Sequence, residues 1–251
     1  MEAVTVSRQG RVPIYPHPQT FEQAMRVEVK SKPIELGIEV YTSTTGKVVI
    51  HQPGFYEKLQ GYKNKYRTLA RLIQERFGAA ILMDNEERDY HPFHETATDD
   101  LLAVINFVVE HSREITGAEE PEICLMGFSA GGTSVGSIAG HHPLVEKVLL
   151  IGPSHAYEAY RGRDAIFESF ERFEGEVFIT QGDRDGSTDG TYINQIARHL
   201  GTNSTFALVP GCDHDFRGAR NDFIYSKTPF WAFAGDSTFP SPEGGVRLVQ
   251  K

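Results

Sequence analysis

Short apolar runs alternate with longer amphipathic segments along most of the chain. The runs KVVIHQP (47–53), AAILMDN (79–85), EICLMGF (122–128), KVLLIGPS (147–154), EVFITQG (176–182) and TFALVPG (205–211) are brief, rich in β-branched residues and lead into Gly, Pro, Asp or Asn. Apolar runs of that length predict parallel strands buried on both faces, with loops at their C-terminal ends. Helical spacing predicts helices over 66–77, 99–115, 130–139, 164–173 and 192–200. In the second of these, Leu101, Leu102, Ile105, Val108 and Val109 share one face, and Asp99 and Asp100 are placed to cap its start. Upstream, RVEVKSKPIELGIEVYT reads as two strands around a turn at Lys32-Pro33, an antiparallel edge to the sheet.

Strands alternating with helices imply an α/β protein: a mostly parallel, twisted sheet with an antiparallel N-terminal edge and helices on both faces. No internal repeat, low-complexity tract or linker composition interrupts the chain, so residues 1–251 read as a single domain. The stretch after Phe216, rich in aromatics and Pro, follows no clear period. Two roles are open to it, a fold over the mouth of a site or a contact between subunits of a homo-oligomer.

Composition narrows the function classes. The chain has 251 residues, 25 Lys+Arg against 34 Asp+Glu and a formal charge of −9, with no basic run longer than two. A phosphate-backbone binder needs clustered cations to displace counterions, so nucleic acid is not an expected partner. Two cysteines, Cys124 and Cys212, make neither a disulfide framework nor a thiolate zinc site, and both read as packed thiols. The first residues lack a basic region followed by an apolar stretch, and the longest apolar run, 148–151, is far too short to span a membrane. The expectation is a cytoplasmic protein with no membrane span, and Asn203-Ser204-Thr205 reads as a polar turn rather than a glycosylation site.

The chemistry lies at the strand ends. Gly127-Phe128-Ser129-Ala130-Gly131-Gly132 stands directly between the strand 122–128 and the small-residue helix that follows. A nucleophile on such a strand-to-helix turn occupies a strained backbone conformation, and small residues two positions before and after relieve the crowding. Serine is unreactive at neutral pH without a base, and His214 follows the last apolar strand in Pro210-Gly211-Cys212-Asp213-His214. The base needs an orienting carboxylate, and Asp183-Arg184-Asp185 follows the strand before it. Either Asp183 or Asp185 reaches, with Asp185 favoured by the register of Gly182-Asp183-Arg184-Asp185.

These features, in the order Ser129, Asp185, His214, resemble the α/β-hydrolases, most closely the serine esterases and lipases; the likeness runs from about Lys47 to His214. It implies Ser129 as nucleophile, Asp185 as acid and His214 as base. It also implies two backbone oxyanion donors. One is Ala130. The other is Gly54 or Phe55, in His51-Gln52-Pro53-Gly54-Phe55, a segment similar to the His-Gly loop of esterases. That segment departs from the pattern, because Gln52 and Pro53 stand where glycines usually do and Pro53 has no N–H to give.

The implied activity is hydrolysis of a carboxylic ester of a small-molecule substrate through an acyl-enzyme, with no cofactor. A thioesterase, an amidase or peptidase on the same residues, and a non-catalytic ligand-binding module with the same fold are the alternatives. Phe55, Tyr56 and Phe128, with Tyr157 and Tyr160, are candidates to line the pocket. The segment linking the strands 147–154 and 176–182 has room for one helix, so little or no cap is expected. His91, His94 and Glu95 read as a polar loop and not a metal site, because Pro92 interrupts the helix that would align them. The 183–194 segment lacks the Gly and Glu of a calcium loop.

Overall fold

The computed structural model describes residues 24–31, 34–84, 93–154, 165–188, 190–200, 204–216, 219–236 and 247–249. Strands β1 (Met25–Ser31) and β2 (Ile34–Tyr41) come first, then β3 (Lys47–Gln52), α1 (Lys65–Arg76) and β4 (Ala79–Met83). Helix α2 (Phe93–Glu110) and the short α3 (Ser112–Thr116) lead to β5 (Glu122–Phe128), α4 (Ala130–Ile138) and β6 (Val145–Ile151). The remainder is α5 (Ala165–Phe170), β7 (Glu176–Gly182), α6 (Gly190–Leu200), β8 (Ser204–Val209), α7 (Ala219–Ala234) and β9 (Arg247–Val249).

The strands join one sheet in the order β1-β2-β4-β3-β5-β6-β7-β8-β9. Every pairing from β4 through β3 to β8 is parallel. The β1–β2 and β2–β4 pairings are antiparallel, as expected of the N-terminal edge. Apolar residues of both parities explain the parallel core. Along β3, Val48 and Ile50 enter one cluster and Val49 the other, and along β5 Ile123 and Leu125 part from Cys124 and Met126 in the same way. The first cluster is closed by Leu101, Val104 and Val108 of α2, Val135 of α4, Phe170 of α5 and Ile196 of α6. The second is closed by Tyr66, Leu69 and Ile73 of α1 and by Phe230, Trp231 and Phe233 of α7. At about 1.5–3 kcal/mol for each large apolar side chain removed from water, both faces contribute heavily to stability. Cys124 and Cys212 are buried and form no disulfide.

Two local expectations are corrected, and one unassigned stretch is resolved. Helix α2 starts at Phe93, so Asp99 and Asp100 lie within it and cap nothing, Asp100 being buried. The extra turn is supported by packing: Ala97 is buried against Ala130 of α4. His94 and Glu95 therefore belong to the first turn of a helix and not to a loop. The stretch after Phe216 contains α7, in which buried Phe230, Trp231, Ala232 and Phe233 are consecutive and Pro229 lies inside the helix, so no 3.6-residue period announces it. It then returns as β9, a three-residue strand antiparallel to β8 that gives the sheet a second antiparallel edge. His91, Tyr157, Tyr160 and Asn203, and the side chains of His94 and Glu95, lie outside the described residues. Among the described residues no helix is long and apolar enough to cross a membrane, and no three His, Cys, Asp or Glu side chains are grouped to hold a metal ion.

Candidate active site

The chain leaves β3 toward β4 on one side and returns to pair β5 on the other, so the strand order reverses at β3. The crevice beyond the C-terminal ends of the strands at such a reversal is where open α/β sheets bind ligands. Gln52 of β3 is level with Gly127 of β5, Phe128 with Ile151 of β6, and Gly182 of β7 with Val209 of β8. Their following loops therefore open on one lip.

Ser129 sits on that lip at φ 54 and ψ −121, as the residue preceding α4. A non-glycine residue there costs about 1–3 kcal/mol and persists only where its surroundings over-determine it. Here they do: its N–H donates to the Ile151 carbonyl at 2.9 Å, and its carbonyl accepts from Gly132 at 3.0 Å, Ser154 at 3.1 Å and Thr133 at 3.3 Å. Thr133 Oγ1 donates in turn to the Ser154 carbonyl at 2.7 Å. The turn is clamped between α4 and the loop after β6. Ala130 is the first residue of α4, where an N–H has no acceptor within its helix.

The structure brings Ser129, His214 and Asp185 together. Ser129 Oγ lies 2.8 Å from His214 Nε2, and His214 Nδ1 lies 2.8 Å from Asp185 Oδ2. The Asp185 side chain is fully buried and that of His214 is 16 % exposed. Asp185 Oδ1 accepts the N–H groups of Ser187 and Thr188, each at 2.9 Å. Burial pushes the Asp185 carboxyl up, but the hydrogen bond and charge of His214 and the donors at Ser187 and Thr188 outweigh it and hold the group below the usual carboxylate range. Gly152, with φ +49, leaves the space this pair fills: a Cβ there would stand 3.2 Å from Asp185 Oδ2 and 3.4 Å from His214 Nδ1. Asp183 faces elsewhere and accepts the Gly211 N–H at 2.6 Å. A hydroxyl bonded to an imidazole whose other nitrogen faces an ionised carboxylate can lose its proton to that imidazole as it attacks an electrophile.

The loop after β3 forms the opposite wall. A Cβ built on Gly54 would stand 3.3 Å from Ser129 Cβ and 3.1 Å from the Phe128 ring, so its backbone lies directly against the serine. The Gly54 N–H donates to Glu57 Oε2 at 3.1 Å. Phe55 and Tyr56 are exposed at the rim and meet edge to face at 4.7 Å. Phe128 is buried with its ring 5.2 Å from that of His214, a floor to the site.

Four residues absent from the sequence reading matter here. Thr188 Oγ1 lies 3.3 Å from both the Gly152 carbonyl and His214 Nδ1. Glu57 accepts from Gly54 and from the Tyr66 hydroxyl and pairs with Lys65 at 3.3 Å. None belongs to a motif, so no sequence signal marks them. His51 and Gln52 stand in the His-Gly-like segment but are structural. His51 is buried against the Tyr66 ring at 4.2 Å, and burial, aided by the nearby Lys65 charge, lowers its pKa to about 3, so it is neutral. Gln52 Nε2 donates to the Ala97 carbonyl at 3.0 Å and ties the end of β3 to α2.

No protein-family model matches the sequence, and no curated protein matches it significantly. Solved structures do. Dienelactone hydrolase from Anabaena variabilis superposes with a TM-score of 0.70 at 15% identity, over 85% of this chain and 97% of that one. Est1E from Butyrivibrio proteoclasticus gives 0.64 at 13% identity, over 81% and 95%. The esterase domain of a Rhodothermus marinus protein gives 0.64 at 14% identity, over 82% and 95%. With a sheet of this order and these structural neighbours, the chain has the α/β-hydrolase fold.

Proposed function

We propose that this protein is a serine hydrolase that cleaves carboxylic esters of small molecules. The observation that carries the reading is the unbroken Ser129–His214–Asp185 relay, 2.8 Å at each step, with Ser129 on a strained strand-to-helix turn. His214 Nε2 takes the Ser129 proton as Oγ bonds to the carbonyl carbon, and the carbonyl oxygen becomes an oxyanion. His214, now a cation steadied by Asp185, returns the proton to the departing alcohol as the C–O bond breaks. Water then attacks the acyl-enzyme through the same base, releasing the acid and restoring Ser129.

Ala130 and Phe55 supply the N–H groups that hold the oxyanion. Phe55 is preferred to Gly54 because the Gly54 N–H is directed to Glu57. Phe55, Tyr56 and Phe128 receive the substrate. An ester is preferred to a thioester or amide because structural neighbours include proteins named as esterases.

A fluorophosphonate probe tests the mechanism. Wild type is labelled and Ser129→Ala is not; no labelling of wild type, or equal labelling of both, overturns it. A panel of aryl esters of rising acyl length, with a thioester and an anilide alongside, tests the bond class. Faster turnover of the anilide or thioester than of every ester would move the assignment to that class.

A further inference from the structure

We propose that Glu57 is a positioning residue for the oxyanion side of this site: its carboxylate fastens the β3–α1 loop to Tyr66, the buried residue in the first turn of α1, and so fixes the backbone opposite Ser129. The inference deepens the serine-hydrolase reading and rests on it.

Glu57 Oε2 accepts two donors, the Gly54 N–H at 3.1 Å and the Tyr66 hydroxyl, while Oε1 pairs with Lys65 Nζ at 3.3 Å. Tyr66 is completely buried, its ring tilted against that of His51 at the end of β3. The carboxylate thus joins the loop to a side chain that the core holds still. Gly54 lies close against the serine, since a Cβ on it would reach Ser129 Cβ at 3.3 Å. A shift of the loop therefore moves the wall of the oxyanion pocket directly.

Two further observations fit this role. Tyr56, between the rim and Glu57, has φ 57, a left-handed conformation that a tyrosine keeps only when neighbouring contacts enforce it. Lys65 places its ammonium 4.7 Å from the centroid of the Tyr66 ring and 4.8 Å from that of Phe128. A carboxylate this near the nucleophile would oppose a developing oxyanion, and the paired ammonium offsets that field. Functional groups must be held within about 0.5 Å of their productive geometry, so a loop-borne donor needs such a tie.

The test compares Glu57→Ala, Glu57→Gln and Tyr66→Phe with wild type. Readouts are kcat and KM on an aryl ester, the inhibition constant of an arylboronic acid that forms a tetrahedral adduct with serine, and the melting temperature. Glu57→Ala should lower kcat about 10- to 100-fold at nearly constant KM and weaken the boronic acid by a similar factor, because the lost interaction belongs to the tetrahedral species. Glu57→Gln keeps a carbonyl oxygen for Gly54 and Tyr66 and should stay within about threefold of wild type. Unchanged kcat and boronic-acid affinity in Glu57→Ala, or a Glu57→Gln as defective as Glu57→Ala, overturns the proposal. If Glu57→Ala does not fold, Tyr66→Phe decides. It removes one anchor and keeps the ring, and unchanged kcat and boronic-acid affinity overturn the proposal, whereas a parallel fall in both supports it. Failure of wild type to react with a fluorophosphonate would sink the underlying serine-hydrolase reading. A reactive wild type with an unaffected Glu57→Ala sinks the role of Glu57 alone.

Discussion

Gly127 and Gly131 meet across the turn that carries Ser129, so closely that a Cβ on Gly127 would lie 2.3 Å from the Gly131 carbonyl oxygen. Two residues before and two after the serine, the chain crosses itself with no side chain between. A Cβ on Gly131 would in turn stand 2.3 Å from the Gln52 carbonyl oxygen and 2.4 Å from that of Pro53. Gly127→Ala and Gly131→Ala must each displace backbone, which costs about 2–4 kcal/mol or more. Urea unfolding checks this, and either variant retaining wild-type stability would contradict the packing described.

The two carboxylates after β7 have separate duties, which a pair of variants distinguishes. Asp185→Asn removes the charge opposite His214 and favours the wrong tautomer, so kcat should fall about 10³- to 10⁴-fold with little change in KM. Asp183→Ala frees only the Gly211 N–H and should lower stability by at most about 1 kcal/mol, leaving kcat within about threefold. Reversed effects in steady-state kinetics would assign the acid to Asp183.

Thr188 touches both Asp185 and His214. Its N–H holds Asp185 Oδ1, and its hydroxyl lies between the Gly152 carbonyl and His214 Nδ1. Thr188→Val keeps the shape and loses the hydroxyl, so kcat should drop about tenfold at unchanged KM, while Thr188→Ser stays near wild type. Equal kinetics in all three proteins would reduce Thr188 to packing.

Burial of His51 predicts a pH dependence of stability. Its pKa is about 3 in the folded state against 6.5 unfolded. Between those values the unfolded chain carries the extra proton. The stabilising contribution is therefore complete above pH 6.5 and falls by about 1.4 kcal/mol per unit as pH drops toward 3. His51→Phe retains a ring against Tyr66 and lacks the proton. Between pH 6.5 and about 4.5, wild type should lose about 2 kcal/mol more than His51→Phe in urea unfolding. Asp185, whose pKa is lowered, keeps its contribution through this range and loses it only as pH falls below the usual carboxylate value. Parallel losses in the two proteins would mean that His51 titrates normally.

The local and periodic part of the molecule was legible in the order of its residues. Both parities of β3 and β5 are apolar, which demands cover on both faces. A strand, a Gly-x-Ser-x-Gly turn and a small-residue helix in succession place a strained serine wherever that unit folds. His214 and Asp185 were visible because each follows an apolar run whose end lies on the same lip. Tertiary structure decided what has no period or motif: the early start of α2, drawn back by Ala97 on Ala130; α7, whose aromatic residues are buried in a row despite Pro229; and β9, three residues stabilised by a ready-made edge on β8. It alone turned Asp183 toward Gly211, and it alone set Glu57 and Tyr66 behind Gly54 and Thr188 beside His214. Those contacts join loops and helices from separate parts of the chain, and a hydrogen bond formed after folding leaves no imprint on the order of the residues that make it.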